Sequence, residues 1–410
     1  MVKNALLSVL RSKELLFRGP MARITGSYVV TTVTGEEVSA FVPAPLPPSK
    51  PVLRLGQEAK SLLAGAEREL ARLEVAGEML PSVDWFIYGF VRKEAVVSSQ
   101  IEGTQATLVD LLKFEAQGEG NEPGPDVQEV CNYIEALVYA RAQLRRSGGV
   151  PISMRLLNEV HKRLLKGARG QDKRPGEIRR SQNWIGGTHP QYAAFVPPPP
   201  ESIRELLSDM EKFIHAEPTL PSLVRAGLLH VQFETIHPYL DGNGRIGRLL
   251  IALLLEHWGL LSQPLLYLSL FFKRHREQYY ERLDAVRTKG DWEGWILFFL
   301  QGVETIAREA TESARELFAL VNDDRTRVLA TPAGSVTAVR LFELLPHHPL
   351  VTIGKVVQLL ETTKPTATKA VRVLVDTGIL TETTGKRRDR TFSYADYLEK
   401  LRVGTELGDI

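Results

Sequence analysis

The sequence predicts a mainly α-helical protein that carries short β-hairpins and a small C-terminal unit. Apolar residues recur at helical spacing over much of residues 53–144 and 221–320. The clearest stripe consists of Leu62, Leu63, Ala66, Leu70 and Leu73. β-Branched runs at 28–33 and 37–42 predict a hairpin ahead of a proline-rich connector. The TPAG segment at Thr331–Gly334 predicts a linker to a separate unit.

Length and composition limit the class of protein. The 410 residues are 43% hydrophobic and 24% charged, which suits two or three packed domains at roughly 150 residues each. Lys and Arg number 51 against 49 Asp and Glu, so no global field favours nucleic acid or an acidic membrane. The single cysteine, Cys131, cannot form an internal disulfide, and no Cys/His cluster has zinc spacing. We therefore expect a cytoplasmic protein.

The sequence offers no membrane segment. The strongest apolar run, Leu249–Leu255, is bounded by Arg248 and Glu256 and is far shorter than the roughly 18 residues of a membrane helix. Charged residues interrupt any signal-peptide core near the N-terminus. Because a strand-like run follows Met21, we expect residues 1–20 to be an uncleaved extension upstream of the true start.

Residues 167–199 lack helical periodicity although predicted helices flank them at Met154–Leu165 and Pro200–Ile214. The segment contains NWIGG at Asn183–Gly187 and ends in a run of prolines. Such a stretch is typical of a hairpin-like flap that lies over another part of the molecule.

The most informative stretch is HPYLDGNGRIGR, at His237–Arg248. Apolar helical patterns precede and follow it, so it predicts an elbow between two helices. Pro238 disfavours helical geometry at His237. Gly242 and Gly244 let a ligand approach the backbone closely where the second helix begins.

The chemistry of this elbow predicts a polyphosphate site. A helix N-terminus carries about half a positive charge, and Arg245 and Arg248 add two whole charges on the first turns. Asp241 is a suitable ligand for magnesium, and His237 a suitable general base. The structural alternative is a turn capped by Asp241 with solvated arginines. That alternative does not explain why a histidine, an aspartate, an asparagine, glycines and two arginines occur together in one short stretch.

At these residues the sequence resembles the Fic family, whose motif is HPFx(D/E)GNGRxxR. The one departure is Tyr239, a core position that is usually Phe, so we expect its hydroxyl to need a buried partner. The resemblance covers most of residues 40–310. It implies transfer of AMP from ATP to a Ser, Thr or Tyr hydroxyl of a protein, which could be the enzyme itself, with release of pyrophosphate. Removal of AMP, or transfer of another phosphate-bearing group, stays an alternative.

The resemblance also implies a role for each residue. His237 is the base that deprotonates the target hydroxyl, and Asp241 holds Mg²⁺ on the α and β phosphates. The residues expected to bind ATP are Gly242, Asn243, Gly244, Arg245, Gly247 and Arg248, with Tyr279 and Tyr280 of the QYYER segment beside the adenine. Asn243 is expected on the α-phosphate, and Arg245 and Arg248 on the β and γ phosphates.

The flap has an implied role too. The residues expected to steer the target main chain by strand addition are Trp184, Ile185, Gly186 and Gly187. For Trp184 a role as simple cover for the core is the alternative.

A second short motif, SSQIEG at Ser98–Gly103, resembles the family's inhibitory pattern (S/T)xxxE(G/N). Glu102, delivered on a helix, is expected to form a bidentate pair with Arg248 and take the place of the γ-phosphate. Ser98 is the first residue of this pattern. The alternative is a surface glutamate beside a helix C-cap at Gly103.

The last segment has three predicted helices, at 336–345, 353–360 and 365–377, followed by strands at 379–384 and 391–394. This order resembles a winged helix-turn-helix. The residues that would enter the major groove are Thr366, Thr368, Lys369 and Arg372, and those that would touch phosphate are Lys386, Arg387, Arg388 and Arg390. Winged helices also serve as dimerisation and protein-docking units, and the basic tip can equally be a solvated turn.

Together these observations predict a Fic-type helical core with a short β-hairpin flap, plus a C-terminal winged helix-turn-helix domain. We expect an N-terminal extension and hairpin over 1–50, a helical region with the inhibitory helix over 51–145, the catalytic core over 146–325, and the winged helix over 335–410. The expected cofactor is Mg²⁺, and the expected partners are a protein substrate, DNA and a second copy in a homodimer. The alternative function is an ATP-sensing DNA-binding regulator.

Overall fold

The computed structural model describes residues 23–33, 35–79, 83–117, 121–146, 149–331, 336–386 and 389–407. The predicted extension over residues 1–20 therefore lies outside the described residues. The predicted N-terminal hairpin is present as strands β1 (Gly26–Val33) and β2 (Glu36–Pro43), which pair antiparallel with Gly26 opposite Pro43. The backbone N–H of Phe41 in β2 donates to the carbonyl of Val196 at 3.0 Å, so the hairpin lies beside the end of the flap segment.

Four helices follow the hairpin: α1 (Gln57–Met79), α2 (Val83–Ile101), α3 (Leu108–Gln117) and α4 (Pro125–Arg145). The predicted stripe on α1 is the buried face of that helix, with Ala66, Leu70 and Leu73 in the core. Helix α1 packs along α11, the 39-residue helix Trp292–Ala330. Helix α4 begins at Pro125, where the fixed φ of proline suits the first helical position.

The central helices are α5 (Met154–Leu164), α6 (Pro200–His215), α7 (Ser222–Ile236) and α8 (Asn243–His257). Helices α7 and α8 pack against each other, and every residue of α7 from Leu223 onward is buried. The shorter helices α9 (Ser269–Arg274) and α10 (Arg276–Lys289) lead into α11. The joint between α7 and α8 is thus surrounded by other elements. A helix that is buried on all its faces, as α7 is, requires such surroundings.

The C-terminal unit contains α12 (Val336–Leu344), β3 (Leu350–Thr352), α13 (Ile353–Leu360), α14 (Lys364–Asp376), β4 (Thr381–Glu382), β5 (Thr391–Ser393) and α15 (Ala395–Arg402). Its strands form an antiparallel sheet in the order β3-β5-β4, with Ser393 opposite both Leu350 and Thr381.

This unit is not joined to the rest by the chain alone. Tyr397 of α15 contacts Trp85 of α2, with ring centroids 6.0 Å apart. The Tyr394 hydroxyl donates to Asp324 of α11 at 2.7 Å. The unit expected to be separate therefore packs against α2 and α11. Among the described helices none combines the length and the apolar character needed to cross a bilayer.

Candidate active site

The predicted elbow joins α7 and α8. Helix α7 ends at Ile236, and His237 has left-handed backbone angles, φ 49° and ψ 62°, while its N–H still donates to Phe233 at 2.9 Å. This conformation is uncommon for a residue with a side chain, and the following proline explains why His237 does not continue the helix. Gly242, at φ 78°, turns the chain into α8. The first amides of α8 therefore face the elbow, as predicted.

The Asn243 side chain closes this loop. Its Oδ1 accepts from the N–H of Tyr239 and its Nδ2 donates to the carbonyl of Tyr239, both at 2.8 Å. The role of Asn243 on the α-phosphate stays a prediction, and here the side chain uses Oδ1 and one Nδ2 proton within the loop. The reason is that a tight loop between two buried helices leaves the Tyr239 backbone polar groups without a helical partner.

Tyr239 lies in the core, as expected for its position in the motif. Its hydroxyl donates to Oδ1 of Asn158 on α5 at 2.8 Å, so the predicted buried partner exists. The ring stacks on His161, with centroids 3.8 Å apart. Burial raises the pKa of Tyr239 well above its ordinary value, which keeps the phenol neutral.

His161 supports the loop from the other side. Its Nδ1 accepts from the N–H of Gly176 at 2.8 Å, so the proton is on Nε2, which donates to the carbonyl of Asp241 at 2.9 Å. Burial lowers the pKa of His161 to about 4, so this arrangement holds at neutral pH. The Asp241 side chain is 36% exposed, and one oxygen accepts from Gly242 at 2.6 Å. The other oxygen, Oδ2, lies beside Gly170, where any side chain would collide with it.

Arg245 and Arg248 lie on successive turns of α8, and both are buried. The Arg245 side chain is 1% exposed, and its Nη1 donates at 3.2 Å to Glu129 of α4, whose side chain is 2% exposed. A role on the ATP phosphates was expected for Arg245. Its Nη2 also lies 3.8 Å from Oδ1 of Asp241, so the guanidinium lies between two carboxylates in this structure.

Arg248 contacts the SSQIEG motif. Its Nε donates to Oγ of Ser98 at 2.9 Å, and its Nη2 donates to the Ser98 carbonyl at 3.0 Å and to Oε1 of Glu102 at 2.7 Å. The predicted bidentate pair with Glu102 is therefore wrong in its geometry, because Ser98 takes Nε and shares Nη2. The predicted meeting of Glu102 with Arg248 does occur.

The Glu102 carboxylate lies against the first turn of α8. A side chain at Gly244 would collide with Oε1 of Glu102, so glycine is needed for this approach. Burial, the largest single influence, raises the pKa of Glu102. The charge of Arg248, its hydrogen bond and the charges of Arg245 and His237 together outweigh burial and hold the pKa below its ordinary value. Glu102 is therefore an anion at neutral pH, placed where the helix terminus favours negative charge.

His237 has the properties of a base. Its Nδ1 is 3.4 Å from the carbonyl of Glu234, a contact that requires the proton on Nδ1 and leaves the lone pair on Nε2. Burial and then the nearby Arg179 lower the pKa of His237 to about 4. The ring is therefore neutral at pH 7 and able to accept a proton.

The predicted flap is short. Ile185 and Phe195 exchange backbone hydrogen bonds of 2.8 and 3.1 Å, and Trp184 is half-buried rather than part of the core. Gly186 and Gly187 have φ of 71° and 80° and form the exposed turn. The side chain of Asn183 donates to the Tyr239 carbonyl at 3.3 Å, which ties the flap to the elbow.

The two tyrosines predicted beside the adenine differ in exposure. Tyr279 is buried, and its hydroxyl is 2.8 Å from Nε2 of His230 on α7. Tyr280 is 44% exposed. Only Tyr280 therefore presents much of its ring, and Tyr279 belongs to the aromatic core behind it.

The residues predicted to contact DNA lie in the C-terminal unit, away from the elbow in the sequence. Lys369 and Arg372 are exposed on α14, as is Thr368, whereas Lys386 is exposed after β4. Arg387 and Arg388 lie outside the described residues.

The sequence reasoning missed the residues that support the elbow. These are Glu129, Asn158, His161 and Arg179. None belongs to the HPYLDGNGRIGR motif, and their local sequence pattern does not indicate a partner far away in the chain. The one available signal is weak and applies to Glu129, Asn158 and His161, which are polar residues within predicted helices, whereas Arg179 lies in the non-helical segment.

Two parts of the chain match known families. Residues 60–142 match the family described as Fic/DOC family N-terminal, and residues 151–255 match the Fic/DOC family. The chain carries both Fic domains. The elbow lies inside the second match, and the SSQIEG motif of the Fic N-terminal domain lies inside the first.

Relatives share the Fic region. The protein adenylyltransferase Fic of Culex quinquefasciatus is 30% identical over 250 residues, 58% of this chain and 46% of that protein. A probable protein adenylyltransferase of Aquifex aeolicus is 29% identical over 202 residues, 48% of this chain and 55% of that protein. The chain thus spans about half the length of the curated relatives it matches.

A solved structure shares the fold. The crystal structure of a Fic family protein from Desulfovibrio desulfuricans G20 has a TM-score of 0.53 and 19% identity to this chain. It covers 83% of this chain and 97% of that chain, so the likeness includes most of the helical architecture.

Proposed function

We propose that this protein is a Mg²⁺-dependent protein adenylyltransferase that moves AMP from ATP to a Ser, Thr or Tyr hydroxyl and is held in check by Glu102. One observation carries the proposal. A neutral His237 stands beside a helix N-terminus whose nearby arginine, Arg248, is already bound to a carboxylate. The names of the curated relatives agree with this activity.

The reaction follows from the elbow. Nε2 of His237 takes the proton of the target hydroxyl, and the hydroxyl oxygen forms a bond to the α-phosphorus of ATP. The bond from that phosphorus to the bridging oxygen breaks, and pyrophosphate leaves. The amide of Gly244 lies where negative charge on the α-phosphate grows, and preorganised donors of this kind stabilise a transition state. The amide of Gly242 already donates to Asp241 and would have to exchange that bond for the phosphate. Arg248 neutralises the departing phosphates once Glu102 has moved away.

Asp241 is the residue that fits a magnesium ion. Among the described residues no three His, Cys, Asp or Glu side chains come together as a metal site. Magnesium bound with ATP does not need such a cluster, because one carboxylate, water and the phosphates complete its shell. The half-exposed carboxylate of Asp241 at the N-terminus of α8 suits this arrangement. When bound, the ion would offset the charge on the phosphates.

Autoinhibition follows from competition between two anions. Glu102 is ionised and lies against the turn that would receive phosphate. A γ-phosphate and this carboxylate cannot both bind Nη2 of Arg248, since each needs the same donor. We infer that ATP binds in a non-productive pose while Glu102 is in place.

The flap supplies the target side of the proposal. Gly186 and Gly187 carry no side chains, and the short backbone ladder between Ile185 and Phe195 leaves an exposed edge. A target segment would pair with this edge and bring its hydroxyl to His237.

The test is labelling with α-phosphate-labelled ATP and magnesium, alone and in cell lysate. We expect weak label with the wild type, strong label with Glu102→Gly, and none with His237→Ala. The matched controls are Glu122→Gly, which changes an exposed loop glutamate, and His257→Ala, at the exposed end of α8. Label on the purified protein alone would indicate self-modification. Equal labelling by wild type and Glu102→Gly would remove the inhibitory role, and label that survives His237→Ala would remove the proposed base.

The same site also supports removal of AMP, because His237 and Asp241 would serve that direction too. Incubating labelled protein with magnesium and unlabelled enzyme distinguishes the two directions. Loss of label that depends on Glu102 would indicate removal, and retention of label would leave transfer alone. Light scattering on the purified protein tests the proposed homodimer.

A second candidate function is DNA binding by the C-terminal unit, which we propose to be a winged helix-turn-helix. The order of helices and strands agrees, and α14 turns Thr368, Lys369 and Arg372 to solvent while Ala367 and Ala370 face the core. Phosphate contacts make such binding depend strongly on salt. A mobility shift at low salt, lost in the double variant Lys369→Glu and Arg372→Glu, would support it. Absence of any shift at low salt would favour docking of a protein instead.

A further inference from the structure

Arg179 lies where the flap segment meets the elbow. Only 2% of the residue is exposed, and its backbone N–H donates to the carbonyl of Pro238 at 2.9 Å. Its guanidinium donates to four more carbonyls, those of His237 at 2.9 Å, Ser181 at 3.2 Å, Pro198 at 2.6 Å and Ile236 at 3.4 Å. One buried side chain thus contacts both the elbow and the two ends of the flap.

The partners of Arg179 are unusual for a buried arginine. Such a cation normally pairs with a carboxylate, but no described Asp or Glu lies within ion-pair distance of it. Burial lowers the pKa of Arg179 to about 10, so it still carries its charge at neutral pH. The more distant Glu201 favours this charge, but every hydrogen bond of the guanidinium goes to a backbone carbonyl, and those carbonyls belong to the elbow and to the flap segment.

The carbonyls on the elbow are those that the end of α7 leaves unpaired. The last carbonyls of a helix have no partner in the helix, and a cation there is favourable. Arg179 binds Ile236 and His237 at this end. Because His237 has φ 49°, a conformation with a cost of its own, a clamp on its carbonyl stabilises the direction in which its ring points.

The carbonyls on the flap side are those of Ser181 and Pro198, which bracket the flap. The flap ladder of Ile185 and Phe195 lies between them. A single guanidinium therefore sets the position of the flap relative to His237.

We propose that Arg179 is a positioning residue that holds the ring of His237 and the flap in register, so that a hydroxyl brought by the flap arrives at the base. This inference rests on the proposed function. It goes beyond that function by assigning a role to a residue outside the motif.

Electrostatics gives the inference a readout that does not need activity. Burial is the main cause of the low pKa of His237, and the charge of Arg179 is the next. The other groups that act on the ring are Glu102 and the Glu234 carbonyl, which raise its pKa, and Arg287, which lowers it. Removing the charge of Arg179 should therefore raise the pKa of His237 toward its ordinary value.

The experiment compares Arg179→Met and Arg179→Lys with Arg180→Met. Arg180 is the adjacent, exposed arginine, so it is a matched control. Histidine NMR, assigned with His237→Ala, measures the pKa of His237, and hydrogen exchange measures the amides of Ile185 and Phe195. Lysine keeps the charge but cannot reach four carbonyls. We expect Met to raise the pKa and both variants to speed exchange, with the control unchanged.

Activity adds a third measurement on the Glu102→Gly background. Misplacement of reacting groups by about 1 Å costs about 100-fold in rate. We expect kcat to fall about 10- to 100-fold in both Arg179 variants with little change in KM for ATP. A variant that lost ATP binding instead would show a raised KM and contradict a positioning role.

Arg179 has only a structural role if the His237 pKa and the exchange of Ile185 match the wild type in a folded Arg179→Met protein. Should Met prevent folding, Arg179→Lys decides through exchange and kcat, because it retains the charge. If the wild type transfers no label, yet the pKa and the exchange still change, the proposed function fails and the clamp on His237 stands.

Discussion

Two ion pairs on the first turns of α8 use the same kind of side chain in opposite ways. Arg245 pairs with Glu129, which lies within α4 and is 2% exposed. Arg248 pairs with Glu102, which lies just past the end of α2 and is 33% exposed. The first carboxylate cannot leave without unpacking α4. The second can move into solvent, so the same chemistry is structural at one turn and displaceable at the next.

The contacts of Arg179, between the elbow and the flap, are fixed in the same way as the pair of Arg245 with Glu129. Arg179 binds carbonyls of the chain itself, which cannot exchange for a ligand. The contacts of Glu102 are the exception in a site that is otherwise held permanently. The proposed function requires such a division, because release of Glu102 must leave His237 and the flap in place.

The largest expected effect is on stability, from Glu129→Gln. Removing one partner of a buried ion pair costs about 3–5 kcal/mol, and Glu129 also accepts from Thr104 at 2.7 Å. Glu102→Gly should cost less, at most about 1.5–3 kcal/mol for one hydrogen bond to a charged group, because the Glu102 carboxylate is 33% exposed and Arg248 keeps its bonds to Ser98. Urea unfolding measures both, with Glu316→Gln of an exposed pair as control. Equal losses for Glu129→Gln and Glu102→Gly would break the comparison between fixed and displaceable partners.

The release of Glu102 should give the next effect, a rise in transfer rate. A hydrogen bond to a charged group contributes about 1.5–3 kcal/mol, so its loss should raise activity about 10- to 100-fold. Because Arg248 holds the pKa of Glu102 below 4.5, the inhibitory anion persists at all pH values above that. The contact would be lost only as pH falls through the lowered pKa. The ratio of Glu102→Gly to wild-type rates should therefore be flat between pH 6 and pH 8, and a ratio that falls in this range would contradict the assignment.

A smaller rise in transfer rate is expected from a change at Gln100, which lies in the SSQIEG motif beside Glu102. Gln100 donates to the carbonyls of Ala106 at 2.9 Å and Thr405 at 2.8 Å, and it accepts from Lys273 at 2.7 Å. The two neutral bonds that Gln100 donates contribute about 0.5–1.5 kcal/mol each, so Gln100→Ala should raise transfer about 2- to 10-fold. Gln301→Ala, at an exposed position of α11, is the control. No change with Gln100→Ala would mean that Glu102 is held by Arg248 alone.

The smallest effect on the transfer rate should come from Tyr239→Phe, which restores the usual residue of the motif. The change removes the hydroxyl bond to Asn158 and leaves that amide unpaired, at a cost of about 1–3 kcal/mol. Transfer by the Glu102→Gly background should stay the same, because the hydroxyl points away from the elbow into α5. The double variant with Asn158→Leu should recover part of the stability. A loss of activity in Tyr239→Phe would show that the support of the loop also matters to catalysis.

The local features of the site were predictable from the sequence. The elbow, the neutral His237 at its start, the N-terminus of α8 and the meeting of Glu102 with Arg248 depend on residues within two short motifs. Proline and glycine determine backbone geometry at the positions they occupy, so their spacing carries this information. The buried hydrogen-bond partner of the Tyr239 hydroxyl was also predictable, because a buried phenol needs a partner.

Tertiary structure decided which polar groups of the site are engaged in internal hydrogen bonds and ion pairs. Asn243 closes its own loop, Tyr279 turns into the core, and Arg245 finds its acid on α4. Arg179 meets carbonyls on both sides of the flap, and the C-terminal unit reaches Gln100 on α2. These partners lie far apart in the chain. By itself the sequence determined the chemistry and the local geometry of the elbow, whereas the balance of buried charges and hydrogen bonds depends on which distant segments the packed core brings together.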